Sequence, residues 1–439
     1  MCSRNSSSDS TKFSVLENNI IAILDASVNS TCNQYTNDDR LEFLEAVRTA
    51  FFRANQTTPP SRKILQEVFH ILSVGESVEL ITESYCLLDD LQKSFPPSQA
   101  SSSTEPPAVT ELWSPFDFTS GSMRCMQKGD DRTDLIDPTD FRKIIEFLIE
   151  VDEADNETDG KELMRNMLLF QHLIDVLHID FASRKRMFKA SMKWPILRDS
   201  FLSKLLSSKR INYKKLITDS IHLLCSISNA SSESYNGLET CNSIRKFIVS
   251  ILELDEERKE AEELGLISRG DYCRYPLLEV IINELSYEKD IISSFLEVFD
   301  EPKWKLQIVL QYFAKYAPTA VVLLKYVYLL NDSIWFSQSS VCTRRSDSPK
   351  EDINFQWMMD CFSKSKNLIK KIGTNVVQVL VSHGFQAQLS LVNGKKCIKE
   401  ICAAFVCAFR NLKDSNEKLE MLDIAREALF VASTIVSSE

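Results

Sequence analysis

Glycine is scarce in this sequence, with only 10 glycines among 439 residues. Average usage of about 7% would place roughly 30 in a chain of this length. The glycine-based frames G-x-S-x-G, G-x-x-x-x-G-K-[ST] and G-x-G-x-x-G do not occur in the sequence, and each needs glycine for a tight turn or a close approach to phosphate. The scarcity therefore argues against nucleotide chemistry and favours a helical protein.

Positive charge and cysteine are also in short supply. The 51 lysines and arginines stand against 62 aspartates and glutamates, which gives a net charge of −11. This balance rules out a generally basic coat protein for nucleic acids. The 12 cysteines fall far below the roughly 8–10% that marks a disulfide scaffold, so reduced thiols in a cytosolic or nuclear compartment are expected.

No long hydrophobic run suggests a leader or a membrane span. The first residues are polar and serine-rich, without the apolar core of a secretory signal peptide. The most apolar stretch, Ala317–Leu330, contains Pro318 and Lys325 and is shorter than the roughly 20 residues that cross a bilayer. We therefore expect an intracellular protein that has no membrane partner, and we interpret this stretch as a buried helix.

Hydrophobic residues recur at helical spacing through most of the chain. One stripe, at intervals of 4, 3, 4 and 3, consists of Leu163, Met167, Phe170, Ile174 and Leu177. Similar stripes occur within 41–51, 64–71, 78–85, 201–224 and 244–252, and they indicate amphipathic helices. Asp137-Pro138 and Asp300-Glu301-Pro302 are N-terminal helix signals. The sequence predicts an all-α fold.

Clusters of serine, proline, glycine and acidic residues predict the domain organisation. We expect a mostly disordered region over 1–37 with at most one short helix, and a helical unit over 38–95. A flexible linker with an aromatic motif follows over 96–137, and the main helical body spans 138–439. Helical hairpins of some 35 to 45 residues suggest an irregular armadillo- or HEAT-like solenoid with long flexible linkers, although no repeat is visible in the sequence itself.

Catalytic and metal-binding residues are not predicted at any position, and no cofactor is expected. The five histidines are scattered, and no H-E-x-x-H or C-x-x-C pair gives zinc-ligand spacing. Cys397, Cys402 and Cys407 recur every five residues, and each step rotates the side chain by about 140° on a helix. These thiols therefore do not converge on one metal, and we interpret them as small buried hydrophobes.

Two aromatic segments are candidates for contact with a protein partner. The first segment places three large rings inside a polar linker, those of Trp113, Phe116 and Phe118. These rings either hold the linker against its own helical body or anchor a partner. Burial would stabilise either arrangement by roughly 1.5–3 kcal/mol per ring. In the second segment Lys303 and Trp304 belong either to a helical core or to a partner contact.

Charged runs supply the remaining candidates. Lys209, Arg210, Lys214 and Lys215 form a basic patch, and such patches contact nucleic-acid phosphates through counterion release. The alternative is a solvated helix surface. Lys364–Lys371 and Arg344-Arg345 are comparable to nuclear-import signals. The acidic runs 150–162 and 253–263 would suit a basic partner or simply remain solvated.

Several motifs, taken together in their order along the chain, carry a resemblance. They are DRLEFLEAVR at 39–48, WSPFDF at 113–118, NMLLF at 166–170, ISRGD at 267–271, FLEVFDEPKWKLQIVLQY at 295–312 and KKIG at 370–373. In this order they resemble the plant family of negative regulators of systemic acquired resistance, which are leucine-rich nuclear proteins. The resemblance covers roughly residues 38–439.

The family pattern departs from this chain at 96–137 and between about 322 and 342. In the family a Val-Arg-Thr-Arg-Arg-like run follows the helix directly, whereas here the stretch 323–341 precedes Thr343-Arg344-Arg345. We interpret that stretch as an insertion from a retained intron or a misassigned exon. The ISRGD segment adds Arg269 and Asp271 to the candidate partner-binding residues.

The resemblance implies a non-enzymatic, armadillo-like nuclear protein that holds defence genes silent. It also implies an accessory subunit of the structural maintenance of chromosomes five/six complex, which acts in the DNA-damage response and recombination. The expected partners are a second helical accessory subunit and the ATPase subunits of that complex, with chromatin reached indirectly. The competing hypothesis is a repressor that binds DNA directly through its basic clusters.

Overall fold

The computed structural model shows helices joined mostly by short connections. It describes residues 18–24, 33–53, 59–95, 113–118, 135–153, 160–230, 235–267, 274–316, 354–364, 366–415 and 420–438. Within these ranges there is no strand, and one isolated bridge pairs Phe116 with Ile136. The all-α class predicted from the sequence is confirmed. The armadillo or HEAT type of repeat stays a prediction.

Contacts divide the chain into two compact units, of which the first is Met1–Ile267. A π-helical turn, Thr49–Arg53, extends its second helix. The helices of this unit are α1 (18–24), α2 (Asn33–Arg48), α3 (Arg62–Val74), α4 (Val78–Ser94), α5 (Pro138–Glu153), α6 (Gly160–Ser191), α7 (Pro195–Arg198), α8 (Phe201–Leu206), α9 (Tyr213–Ala230) and α10 (Tyr235–Glu263).

The second unit is Ser268–Glu439. Its helices are α11 (Leu277–Tyr287), α12 (Ile291–Val298), α13 (Pro302–Tyr316), α14 (Phe355–Lys364), α15 (Lys366–Ile372), α16 (Thr374–Leu391), α17 (Lys395–Ser415) and α18 (Asp423–Ser437). Among the described helices of both units, none is long and apolar enough to span a membrane.

The domain division read from the sequence stays a prediction. The observed contacts place α3 and α4, which precede the predicted linker, against α6, which follows it, inside the first unit. Of the predicted linker, only 113–118 and 135–137 are described. Most of the predicted 1–37 region and the whole insertion at 323–341 lie outside the described residues.

Side-chain caps fix where several helices begin. Asp137 accepts hydrogen bonds at one carboxylate oxygen from the backbone N–H groups of Thr139 (2.7 Å) and Asp140 (3.0 Å), and α5 starts at Pro138. A carboxylate here satisfies free amides and complements the positive end of the helix. α13 likewise starts at Pro302. Both helix starts predicted from the sequence are therefore confirmed.

The core of the first unit lies along α6 and α10, its two longest helices. The predicted hydrophobic stripe of α6 is confirmed over its C-terminal part, where Phe170, Ile174 and Leu177 are buried, whereas Leu163 and Met167 are half-buried. Burying one such side chain stabilises a fold by about 1.5–3 kcal/mol. The apolar residues that α10 buries include Cys241, Ile244, Phe247, Ile248, Ile251, Leu252, Leu254 and Ala261.

A ladder of polar pairs also joins α6 to α10. Its pairs are Gln171–Thr240, Asp175–Lys246, His178–Ser250, Lys185–Glu253 and Lys189–Glu260. The sequence separations of these pairs are 69, 71, 72, 68 and 71 residues. Because the separation stays nearly constant along the contact, the two helices run parallel, in one register.

The second unit packs α13 against α16. Gly384 allows the approach, since a Cβ atom there would lie 3.1 Å from Cγ1 of Val309. Phe385 of α16 stacks on Phe405 of α17 with 4.1 Å between ring centroids. The buried Gln378 donates to the carbonyl of Glu420 and accepts from the amide of Leu422, each at 3.1 Å. This amide therefore ties α16 to the segment that starts α18.

His172 is buried in the first unit, where its ring lies 5.9 Å from that of Phe69. Burial lowers the pKa of His172 from 6.5 to about 4, although the carboxylates of Asp175 and Asp89 oppose the shift. A histidine with a depressed folded-state pKa stabilises the fold fully above its unfolded pKa. That contribution is lost as the pH falls from about 6.5 towards 4.

We therefore expect His172→Gln to make the unfolding free energy of the protein depend less on pH in the acidic range. Between pH 7 and about pH 4.5 the wild type should lose about 2 kcal/mol more of its unfolding free energy than the variant. Urea unfolding followed by circular dichroism at both pH values measures the difference. His383 is present in both proteins, so its own titration cancels. Equal losses would contradict the assignment.

Candidate interaction surfaces

The aromatic segment Trp113–Phe118 is held against the first unit by its backbone. The amide of Asp117 donates to the carbonyl of Ile136 at 3.0 Å, and the amide of Ile136 donates to the carbonyl of Pro115 at 2.8 Å. Ser114 accepts a third bond from the amide of Phe116. These bonds place the segment directly before α5, which begins two residues after Ile136.

The three rings of the segment contact helices of the same unit. Trp113 lies edge-on to Phe69 of α3 with 5.7 Å between centroids. Phe116 is 5% exposed and lies 6.1 Å from Phe141 of α5. Phe118 is stacked at 6.2 Å on Phe201 of α8. The contacts agree with the interpretation that the segment staples to its own body, and the role as a partner anchor stays a prediction.

The ISRGD and EPKWK segments differ in what the structure describes. Arg269 and Asp271 lie within 268–273, outside the described residues. Trp304 is 6% exposed in α13, so its ring belongs to the core of the second unit. The ammonium group of Lys303 is exposed and lies 4.6 Å from the Trp304 ring centroid, which gives a cation–π contact.

The basic patch separates into an inner and an outer pair of residues. Arg210 forms an ion pair with Asp137 at 3.2 Å, and Lys215 forms one with Glu146 at 2.8 Å. The hydrogen bond to Lys215 lowers the pKa of Glu146 despite partial burial. Lys209 and Lys214 are exposed. The four predicted residues are therefore not equivalent, because Arg210 and Lys215 hold carboxylates whereas Lys209 and Lys214 form no ion pair among the described residues.

The cysteine series on α17 splits by exposure. Cys402 is fully buried, whereas Cys397 and Cys407 are exposed. Burial raises the pKa of the Cys402 thiol, which leaves it a poor nucleophile at neutral pH. The prediction of three buried thiols is therefore wrong for Cys397 and Cys407, because five-residue steps turn both away from the face that carries Cys402.

One buried charged group is absent from the sequence-based candidates. The carboxylate of Asp180 on α6 accepts from Arg184 at 2.7 Å and from the amide of Phe201 at 2.8 Å. Burial raises the pKa of Asp180, while Arg184 and the Phe201 amide favour its charged form. The four-residue spacing of Asp180 and Arg184 predicts their ion pair on a helix. The contact of Asp180 with the Phe201 amide of α8 cannot be predicted from the sequence.

These features define a class: an all-α protein of two helical units with aromatic and basic groups at its surface. Family models for the SNI1 middle domain match residues 90–240 and 235–301, and the model for the SNI1 C-terminal domain matches 336–439. The chain is 35% identical over 438 residues to the negative regulator of systemic acquired resistance SNI1 of Arabidopsis thaliana. That alignment covers 97% of this chain and 95% of the relative.

The chain therefore belongs to the SNI1 family, and the resemblance read from its motifs is confirmed. No solved structure matches it. The family models together cover the end of α4, the helices α5 to α12 and the helices from α14 onwards, so both helical units contain matched segments.

We expect Phe116→Ala to release the aromatic segment from the first unit. Removing a buried phenylalanine costs about 3–5 kcal/mol, so the unfolding free energy should fall by this order and limited proteolysis should cleave near Trp113–Phe118. Leu238→Ala is the control, because Leu238 is 56% exposed on α10, and its loss should stay within about 0.5 kcal/mol. Unchanged stability and cleavage for Phe116→Ala would contradict the staple.

Proposed function

We propose that this protein is a non-enzymatic nuclear scaffold that negatively regulates systemic acquired resistance by repressing defence-gene transcription. The observation that carries the proposal is the 35% identity over nearly the whole chain to a protein named for this regulation. Because the alignment spans both units, the proposal concerns the whole protein and not one shared domain.

The scaffold role rests on the chemistry of the chain. The sequence carries none of the glycine-based catalytic frames and no metal-ligand spacing of histidine and cysteine. Its described polar groups instead join helices, as in the α6–α10 ladder. A helical protein of this kind offers long faces on which other helical proteins dock.

The proposed assembly is the structural maintenance of chromosomes five/six complex, in which the protein serves as an accessory subunit. Its proposed partners are a second helical accessory subunit and the ATPase subunits, and its proposed roles are the DNA-damage response and recombination. Support for the assembly comes from the family resemblance of the motifs at 39–48, 113–118 and 295–312. In this proposal the protein reaches chromatin through its partners.

Direct DNA binding through the basic patch is the competing hypothesis. Arg210 already holds Asp137, the residue before α5, and Lys215 holds Glu146 of α5. Two of the four cations therefore contribute less to a phosphate contact. Binding that relies on few phosphate contacts is weak at physiological salt. This observation favours indirect recruitment.

A tagged pull-down from plant nuclei, with and without nuclease, tests the proposal. We expect chromosome-maintenance subunits to co-purify and to persist after the DNA is digested, because the contacts are between proteins. Mass spectrometry measures both samples. A strain that lacks the protein should also express defence genes without infection, and the full chain should restore their repression.

The two readouts separate the parts of the proposal. If the chromosome-maintenance subunits are lost after nuclease treatment, or are absent from both samples, the scaffold role is excluded. Direct DNA binding then becomes the favoured hypothesis. Persisting subunits together with unchanged defence genes would exclude the regulatory role alone.

A further inference from the structure

The connection between α8 and α9 concentrates positive charge on an otherwise acidic protein. Between 184 and 215 the sequence contains eleven lysines and arginines and a single acidic residue, Asp199. Five of these cations lie within 204–215, where no acidic residue occurs. We call Lys204, Lys209 and Lys214 the lysine corner.

Backbone and side-chain bonds hold the lysine corner in a defined shape. The amide of Ser207 donates to the carbonyl of Ser203 at 3.0 Å, and the amide of Ile211 donates to the carbonyl of Ser208 at 3.2 Å. Asn212 caps α9 by accepting from the amide of Lys215 at 3.1 Å. Lys209 therefore lies in an ordered turn, between the helices that carry Lys204 and Lys214.

The inner cations of the same turn anchor it to α5. Arg210 and Lys215 hold Asp137 and Glu146 at 3.2 and 2.8 Å. All three members of the lysine corner are exposed, and no carboxylate of the described residues pairs with them. Arg210 and Lys215 are therefore paired with carboxylates, whereas the three exposed lysines form no such ion pair among the described residues. The carboxylate of Asp180 attracts Lys204 from a longer distance.

The helix dipole adds to the positive charge of the lysine corner. α9 has no acidic residue in its first turn, and Lys214 and Lys215 stand there instead. Cations are unfavourable near a helix N-terminus, and an anion placed nearby relieves the repulsion. An acidic segment that runs along the lysine corner would therefore gain from its ammonium groups and from the end of the helix.

We propose that the lysine corner binds an acidic segment of a protein partner. The inference rests on the proposed scaffold function and names the chemistry of one partner site. The turn already binds carboxylates through Arg210 and Lys215, so the same group suits its outer cations. A nucleic-acid duplex suits the site less well, because Asp137 and Glu146 lie beside it and three free cations fall short of the roughly 6–10 phosphate contacts of strong binders.

The test measures fluorescence anisotropy of a labelled oligoglutamate peptide of about ten residues against the full chain at low salt. The wild type should bind, and the affinity should fall as salt rises. The variant Lys204→Glu, Lys209→Glu, Lys214→Glu should bind about tenfold more weakly, because three attractions become repulsions.

The matched control reverses three exposed lysines of the second unit, Lys370, Lys371 and Lys396. It changes the net charge equally and should shift the affinity by less than about twofold. Circular dichroism confirms that both variants fold.

Three outcomes would overturn the inference. One is no binding by the wild type, and another is equal weakening in both variants. The third is tighter binding of the wild type to duplex DNA than to a peptide of the same charge, with the DNA affinity lost in the lysine-corner variant but not in the control. That result would assign the surface to nucleic acid. The nuclear pull-down and the peptide titration are independent measurements. If the oligoglutamate peptide does not bind, a positive pull-down still supports the scaffold function. If the pull-down is negative, peptide binding still supports the lysine corner as an acidic-segment site.

Discussion

The parallel pairing of α6 and α10 is the constraint on which the first unit depends. Apolar side chains supply most of the stabilisation, because each exposed or half-exposed ion pair contributes only about 0.2–1 kcal/mol. The polar ladder contributes specificity instead. A shift of one helix by a single turn would separate Gln171 from Thr240 and also Lys189 from Glu260. The polar pairs therefore select one register among those in which the apolar side chains could pack.

The parallel arrangement also determines where the surfaces lie. A chain that leaves the end of α6 must return before α10 can run in the same direction. The 18 residues of α9 provide about 27 Å of that return, and α7 and α8 make the reversal near the end of α6. The lysine corner lies in this reversal, and Phe118 packs on α8 beside it. The aromatic staple and the positive surface thus both depend on the same turn of the chain.

The sequence alone predicts the local features well. The stripe of α6 and the starts of α5 and α13 are visible in side-chain period and capping residues, since both depend on neighbours a few residues apart. The register of α6 against α10 is not visible, because it depends on pairs about 70 residues apart. The sequence also treats Lys209, Arg210, Lys214 and Lys215 as one patch, whereas contacts with Asp137 and Glu146 divide them.

The proposed function rests on family membership and on exposed surfaces, and it needs a rigid first unit that presents these surfaces. Hydrogen exchange of the full chain at increasing urea tests that rigidity most directly. The account predicts that the amides of 168–181 in α6 and 244–254 in α10 exchange slowest in the first unit and lose protection together. Loss of protection in one helix while the other stays protected would contradict the pairing as the organising contact.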